Sequence, residues 1–117
     1  MGYKISKVCF EGPEEDLKQT TNTQPAIVST SIAMYEVLSK KTGIKPSYLT
    51  GHSLGEYCAM YAGGVLNLED TIYLISKRAE AMSKVKGGSM AAVLNLDEEK
   101  LKACLKEASS KGYVDVA

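Results

Sequence analysis

The sequence predicts an α/β fold, and two observations carry the prediction. Gly51-His52-Ser53-Leu54-Gly55-Glu56 sits between residues 47–50, a short run with strand character, and residues 57–62, which read as a buried helix. Strand, G-x-S-x-G, helix is the setting of a nucleophile elbow, where the chain reverses so sharply that the serine hydroxyl stands clear of the sheet. At ordinary Gly and Ser usage, chance places the bare motif in a chain this long about 4% of the time, and the correct flanks cut that further. The second observation lies downstream. Residues 89–94 read as a buried strand, the pattern after Asp97 as a helix, and residues 113–117 as the start of another strand. Strand–helix–strand is half of a small α/β unit. Lys86-Gly87-Gly88 is a hinge-like break before it, which gives candidate domains 1–86 and 87–117.

In chain order, Lys4-Ile5-Ser6-Lys7-Val8-Cys9-Phe10 reads either as one helical turn or as an irregular segment. Gly12-Pro13 punctuates it. Pro13-Glu14-Glu15-Asp16-Leu17 looks like a helix start, with Pro at the first helical position and acids in the first turn. No glycine-rich opening strand is present. Thr23 reads as the N-cap of a long helix with Pro25 in its first turn, running to about Thr42 and stopped by Gly43. Ala26, Ile27, Val28, Ile32, Ala33, Met34, Tyr35, Val37 and Leu38 cover most of its circumference, the pattern of a helix buried inside a larger body. Pro46 keeps helix from continuing into the elbow strand.

After the elbow, Gly63-Gly64 breaks the chain. Asn67 is the N-cap of a helix over 68–84, with Asp70 three residues on as a near capping box. Ile72, Ile75, Ala79 and Met82 form its buried stripe. Arg78 flanks that stripe. Spacing alone leaves it as either a snorkelling surface residue or a ligand clamp. Asp97 caps a final helix with Leu101, Cys104, Leu105 and Ala108 on one face, and Gly112 ends it.

Bulk properties narrow the function classes. The 117 residues suffice for one small domain. Fourteen basic and fourteen acidic residues cancel to a formal net charge of zero, which argues against a nucleic-acid or membrane-surface partner. No apolar run reaches ~18 residues, so no membrane span is expected. Met1-Gly2-Tyr3-Lys4 is followed by no apolar signal-peptide core, and the chain reads as cytoplasmic. Cys9, Cys58 and Cys104 are odd in number and far apart, so neither a disulfide framework nor a metal site is expected. Cys58 and Cys104 read as small core hydrophobes.

The chemistry centres on Ser53. Gly51 and Gly55 would remove side chains that collide across the turn, and the following helix would aim free N–H groups at the serine, ready for a developing oxyanion. A serine hydroxyl also needs a base within about 2.6–3.2 Å. His52 is the only histidine. Its side chain and that of Ser53, as neighbours at a strand end, point to opposite sides, so His52 reads as structural or pocket-lining. Glu56 reads as hydrogen-bonded locally. The sequence thus offers a nucleophile without a convincing base, and its abrupt ends suggest an incomplete chain.

Five ordered segments carry a resemblance. They are Phe10-Glu11-Gly12-Pro13-Glu14-Glu15-Asp16-Leu17, Thr23-Gln24-Pro25-Ala26, Gly51-His52-Ser53-Leu54-Gly55-Glu56-Tyr57, Lys77-Arg78-Ala79-Glu80-Ala81-Met82 and Gly88-Ser89-Met90-Ala91-Ala92-Val93-Leu94. In order and spacing the chain resembles the malonyl-CoA:acyl-carrier-protein transacylases of fatty-acid synthesis over essentially its whole length. The resemblance implies a partial hydrolase-like α/β subdomain with its nucleophile elbow, followed by the first half of a ferredoxin-like small subdomain. It implies ping-pong transfer of a malonyl group from coenzyme A to the phosphopantetheine thiol of acyl carrier protein, through a malonyl-serine ester. Ser53 matches the nucleophile, and Arg78 the arginine that holds the malonyl carboxylate, for which a planar fork is well suited. The Leu54 N–H matches one oxyanion donor, and Gln24 a pocket-lining glutamine. No cofactor is implied, since the coenzyme A thioester is substrate. The family's glycine-glutamine-glycine segment and its downstream histidine base match no residue here.

Three rivals remain open. An esterase or lipase of the α/β-hydrolase type shares the elbow but passes the acyl group to water. The acyltransferase domain of a polyketide synthase shares Ser53 and Arg78. The third is a non-catalytic fragment. The expectation for the isolated chain is inactivity as a transacylase, together with self-association through uncovered apolar surface.

Overall fold

An elbow of this kind ordinarily hangs from a sheet, but here helices carry it. The computed structural model describes residues 4–116, in which the regular structure comprises α1 (Ile5–Glu11), α2 (Glu14–Lys18), α3 (Thr20–Thr42), α4 (Gly55–Ala62), α5 (Leu68–Ser83) and α6 (Glu98–Ala108). The predicted strands over 47–50, 89–94 and 113–117 are not formed among the described residues; Ala117 and residues 1–3 lie outside them. The reason is pairing. A strand is stabilised by ladder hydrogen bonds to a neighbour, and none of these three segments makes a backbone hydrogen bond to another described segment.

The chain divides into two compact units, the first ending at Lys86 and the second beginning at Gly87. In the first, α3 is the hub, and α1, α2, α4 and α5 all pack against it. Val28 and Ile32 of α3 meet Ile75 of α5. Leu54, Tyr57, Cys58, Tyr61 and Ile72 close around them. Val28 and Ile75 are fully buried, each worth about 1.5–3 kcal/mol of transfer free energy. Two tyrosines fasten α4 to α3. The rings of Tyr35 and Tyr61 meet edge to face at 6.5 Å. The Tyr61 hydroxyl donates to Glu36 Oε1 at 2.9 Å, and that of Tyr35 to the Ala62 carbonyl at 3.4 Å.

Several local expectations are corrected. The segment with two readings at the N-terminus is helix, α1. Pro13 is the N-cap of α2 rather than its first helical residue. The long helix starts four residues early, at Thr20 with Gln19 as N-cap, and Thr23 lies inside it. The Thr23 hydroxyl turns back to the carbonyls of Leu17 and Gln19 instead of capping a forward N–H. Nor is α3 buried all round. Ala26, Val28 and Ile32 are buried, while Ile27, Met34, Val37 and Leu38 are exposed, because helices cover only one side of it. For the same reason α4 has no fully buried residue, and Met82 is exposed where a core position is expected. The stop at Gly43 is as expected: φ is 66°, and its N–H bonds the Ser39 carbonyl at 2.9 Å. So is the Asn67 cap, whose side chain accepts from the Asp70 N–H at 2.8 Å.

In the second unit, Asp97 caps α6 by accepting from the Lys100 N–H at 2.8 Å. Leu101 and Leu105 are half-buried, but Cys104 is exposed, contrary to its reading as core. The helix ends at Ala108 with Ser109 as C-cap, before Gly112. Among the described residues no helix is long and apolar enough to cross a membrane.

Candidate active site

The elbow is set by one glycine. A Cβ at Gly51 would lie 2.0 Å from the Gly55 carbonyl carbon and 2.3 Å from the Glu56 nitrogen. No side chain fits there. Among the described residues a Cβ at Gly55 would meet nothing within 4 Å, so the collision expected at this second glycine is absent there. Ser53 itself has φ 56°, left-handed backbone that a serine rarely adopts and that costs on the order of 1–3 kcal/mol. Three turn bonds hold it there: Gly55 N–H to the His52 carbonyl at 2.9 Å, Glu56 N–H to Ser53 and Tyr57 N–H to Leu54, both at 3.2 Å. Leu54 is the N-cap of α4, and its side chain packs against the core cluster, which ties the elbow to the fold. No hydrogen bond engages the Leu54 N–H among the described residues. It stands at the positive end of α4, where an anion is stabilised.

Arg78 reaches this spot from α5. Its Nη2 donates to Ser53 Oγ at 2.9 Å. Its Nη1 donates to Oε1 of Gln24, a residue of α3 that is only 4% exposed. The Gln24 amide nitrogen in turn donates to Thr20 Oγ1 at 2.8 Å and to Met82 Sδ at 3.3 Å. Ser53, Arg78 and Gln24, three of the five residues expected from sequence, are thus joined in one network, and Leu54 adjoins it. His52 is not part of it: its side chain is exposed and forms no hydrogen bond to Ser53. Glu56 is also exposed, and its side chain makes none of the local hydrogen bonds expected of it. Thr20 and Met82 are not among the site residues expected from sequence. For Thr20 a signal existed, since it precedes Gln24 by one helical turn on the same face.

Two cavities lie elsewhere. One, of about 530 Å³, opens beside Cys9, Leu17, Ala26 and Ile27. The other, of about 170 Å³, is lined by Ile32, Tyr35, Leu49 and Cys58. Neither is lined by Ser53, Arg78, Gln24 or His52. Burial pushes the Cys58 thiol above its ordinary pKa, which keeps it protonated and a poor nucleophile at neutral pH. Among the described residues no cluster of three His, Cys, Asp or Glu could hold a metal. What the network offers chemically is a strained hydroxyl beside a fixed cation and a free N–H, suited to an acyl group that carries a negative charge.

The model of the acyl transferase domain family matches residues 1–114. The chain belongs to that family. Among its acyl transferase relatives, the malonyl CoA-acyl carrier protein transacylase of Bacillus subtilis is 43% identical over 112 residues, covering 93% of this chain and 35% of that protein. The crystal structure of the transacylase from Burkholderia pseudomallei superposes with a TM-score of 0.87 at 35% identity, covering 94% of this chain and 38% of that one. A malonyl-transacylase solved in complex with a type II polyketide-synthase acyl-carrier protein, PlMCAT:AntF, superposes at 0.83 with 34% identity, covering 94% and 37%. The chain thus spans little more than a third of the length of these acyl transferases. Their structures are of α/β class, so the predicted class holds for the family fold, while the described residues of this chain form helices alone.

Proposed function

We propose that this chain carries the nucleophile and the carboxylate clamp of a malonyl-CoA:acyl-carrier-protein transacylase. The observation that carries the reading is the 2.9 Å hydrogen bond from Arg78 Nη2 to Ser53 Oγ. In a malonyl thioester one methylene separates the carboxylate from the reacting carbonyl. A clamp for such a group must therefore stand beside its nucleophile. When malonyl-CoA binds, the guanidinium turns its fork to the carboxylate, and a bidentate ion pair replaces the single bond to the neutral hydroxyl.

Ser53 Oγ then attacks the thioester carbonyl. A C–O bond forms, and the oxyanion is received by the Leu54 N–H at the start of α4. The C–S bond breaks, and coenzyme A departs as a thiol with the proton given up by Ser53. The phosphopantetheine thiol of acyl carrier protein next attacks the malonyl-serine ester and restores the hydroxyl. Gln24 supports Arg78. His52 is assigned to the rim of the pocket, and the proton acceptor is none of the residues around Ser53. The reaction balances without a cofactor or metal.

The two units are assigned as part of the large acyltransferase subdomain, 1–86, and part of a ferredoxin-like small subdomain, 87–117. The chain is assigned to the cytoplasm, and its zero formal net charge speaks against a nucleic-acid or membrane-surface partner. Similarity to a transacylase bound to a polyketide carrier protein favours a second reading of the acceptor, in which the malonyl group goes to polyketide rather than fatty-acid synthesis.

The test is a chimera in which this chain replaces the matching segment of the Bacillus subtilis transacylase. Radiolabelled malonyl-CoA should leave label on the peptide containing Ser53, and Ser53→Ala should remove it. Label that persists in Ser53→Ala overturns the assignment. Release of free malonate with none on the carrier protein points to the esterase instead.

A further inference from the structure

We propose that Thr20 and Met82 are positioning residues for the anion clamp: they hold the Gln24 carboxamide with Oε1 toward Arg78. The inference rests on the reading of Arg78 as the clamp and adds the layer behind it. Thr20 opens α3, Gln24 follows one turn later, and Met82 lies on α5 one turn beyond Arg78. A carboxamide has an acceptor end and a donor end, whereas a guanidinium offers donors only. Oε1 must therefore face Arg78, since the flipped amide would set N–H against N–H. Buried as it is, Gln24 has little water to bond in either orientation, and its partners decide. Met82 Sδ, 3.3 Å from Nε2, can only accept, so it fixes the sense of the amide. Thr20 Oγ1, 2.8 Å away, is the stronger acceptor and fixes the side-chain rotamer. With either partner removed, Gln24 spends part of its time turned away, Arg78 loses an anchor, and the fraction of clamp ready for a carboxylate falls. Apparent affinity falls in proportion to that fraction.

Arg78 is the only arginine in the chain, so its guanidinium gives one Nε–Hε signal in a ¹⁵N NMR spectrum of the 117-residue protein. In the unsubstituted chain and in Thr20→Ser, which keeps the hydroxyl, rotation of the guanidinium should be restrained. Thr20→Val, which keeps the shape, should release it and weaken malonate binding about three- to tenfold, the loss expected of one buried neutral hydrogen bond. Met82→Leu, which keeps the volume without the acceptor, should act in the same direction and probes the amide from its other side. In a Gln24→Leu background Thr20→Val should add nothing. The proposal is overturned if Thr20→Val leaves guanidinium and malonate affinity unchanged, or if its effect is as large without Gln24. Restrained Arg78 that depends on Thr20 but binds malonate and acetate alike would uphold the positioning and sink the clamp.

Discussion

Arg78 on α5 and Ser53 in the turn before α4, 25 residues apart in sequence, share a hydrogen bond of 2.9 Å. The cation sits where the charge of a short acidic acyl group would fall when its carbonyl is within reach of the hydroxyl.

Selectivity should therefore depend on Arg78. In the Bacillus chimera, Arg78→Ala should depress malonyl transfer by about 2–5 kcal/mol of transition-state free energy, the loss typical of one partner of a desolvated charge pair. Acetyl transfer should fall far less. Parallel kcat/KM measurements with malonyl-CoA and acetyl-CoA check this, and an equal loss for both would make the arginine merely structural.

The two elbow glycines should respond in opposite ways. Gly51→Ala forces a Cβ to within 2.0 Å of backbone and should cost about 3 kcal/mol or more, the upper range for overpacking. Gly55→Ala enters open space in the first turn of α4 and should gain about 0.4–1 kcal/mol by restricting the unfolded chain. Urea titrations of both variants of the 117-residue chain decide it.

The contact between Tyr61 and Glu36 should give the first unit a stability plateau in pH. The Tyr61 hydroxyl, and then Lys40, hold the Glu36 carboxyl below its ordinary pKa of 4.5. A depressed carboxyl contributes stability above 4.5 and loses it as pH falls through the lower folded-state value. The same bond raises the Tyr61 phenol above 10.0, so its contribution is complete below 10.0 and is lost as pH rises through the higher folded-state value. Tyr61→Phe should flatten both shoulders in a series of melting temperatures from pH 3 to 11. Shoulders unchanged in the variant would assign them to other groups.

The 117-residue chain by itself should not turn over malonyl-CoA, because the side chain of its one histidine makes no hydrogen bond to Ser53. It should also self-associate. Met34, Val37 and Leu38 expose 68%, 55% and 55% of their surface along one helix, and contiguous apolar patches beyond a few hundred Å² rarely stay uncovered. Light scattering and a carrier-protein assay check both. A monomer turning over at roughly 1–10³ per second would contradict both expectations.

What could be read from sequence was what depends on neighbours in the chain. Asn67 with Asp70, Asp97 with its helix, and Gly43 with its positive φ are local arrangements, and each is found. Thr23 shows the limit: a threonine two residues before proline looks like a cap, yet it lies inside the helix with its hydroxyl bonded back to Leu17 and Gln19. Strands are harder still, because a strand belongs to a sheet and residues 47–50 cannot pair alone. In the site, the elbow was legible from its spacing and Arg78 only through resemblance. The link from Gln24 to Met82 spans 58 residues, and no local pattern announces it.

The join at residue 87 has a consequence of handedness. Gly87 and Gly88 have φ of 81° and 87°, and nothing lies within 4 Å of a Cβ at either. The restriction there is torsional rather than spatial, so it distinguishes mirror images. L-alanine would be strained at both positions, whereas D-alanine, whose own preference is for positive φ, would escape that torsional strain.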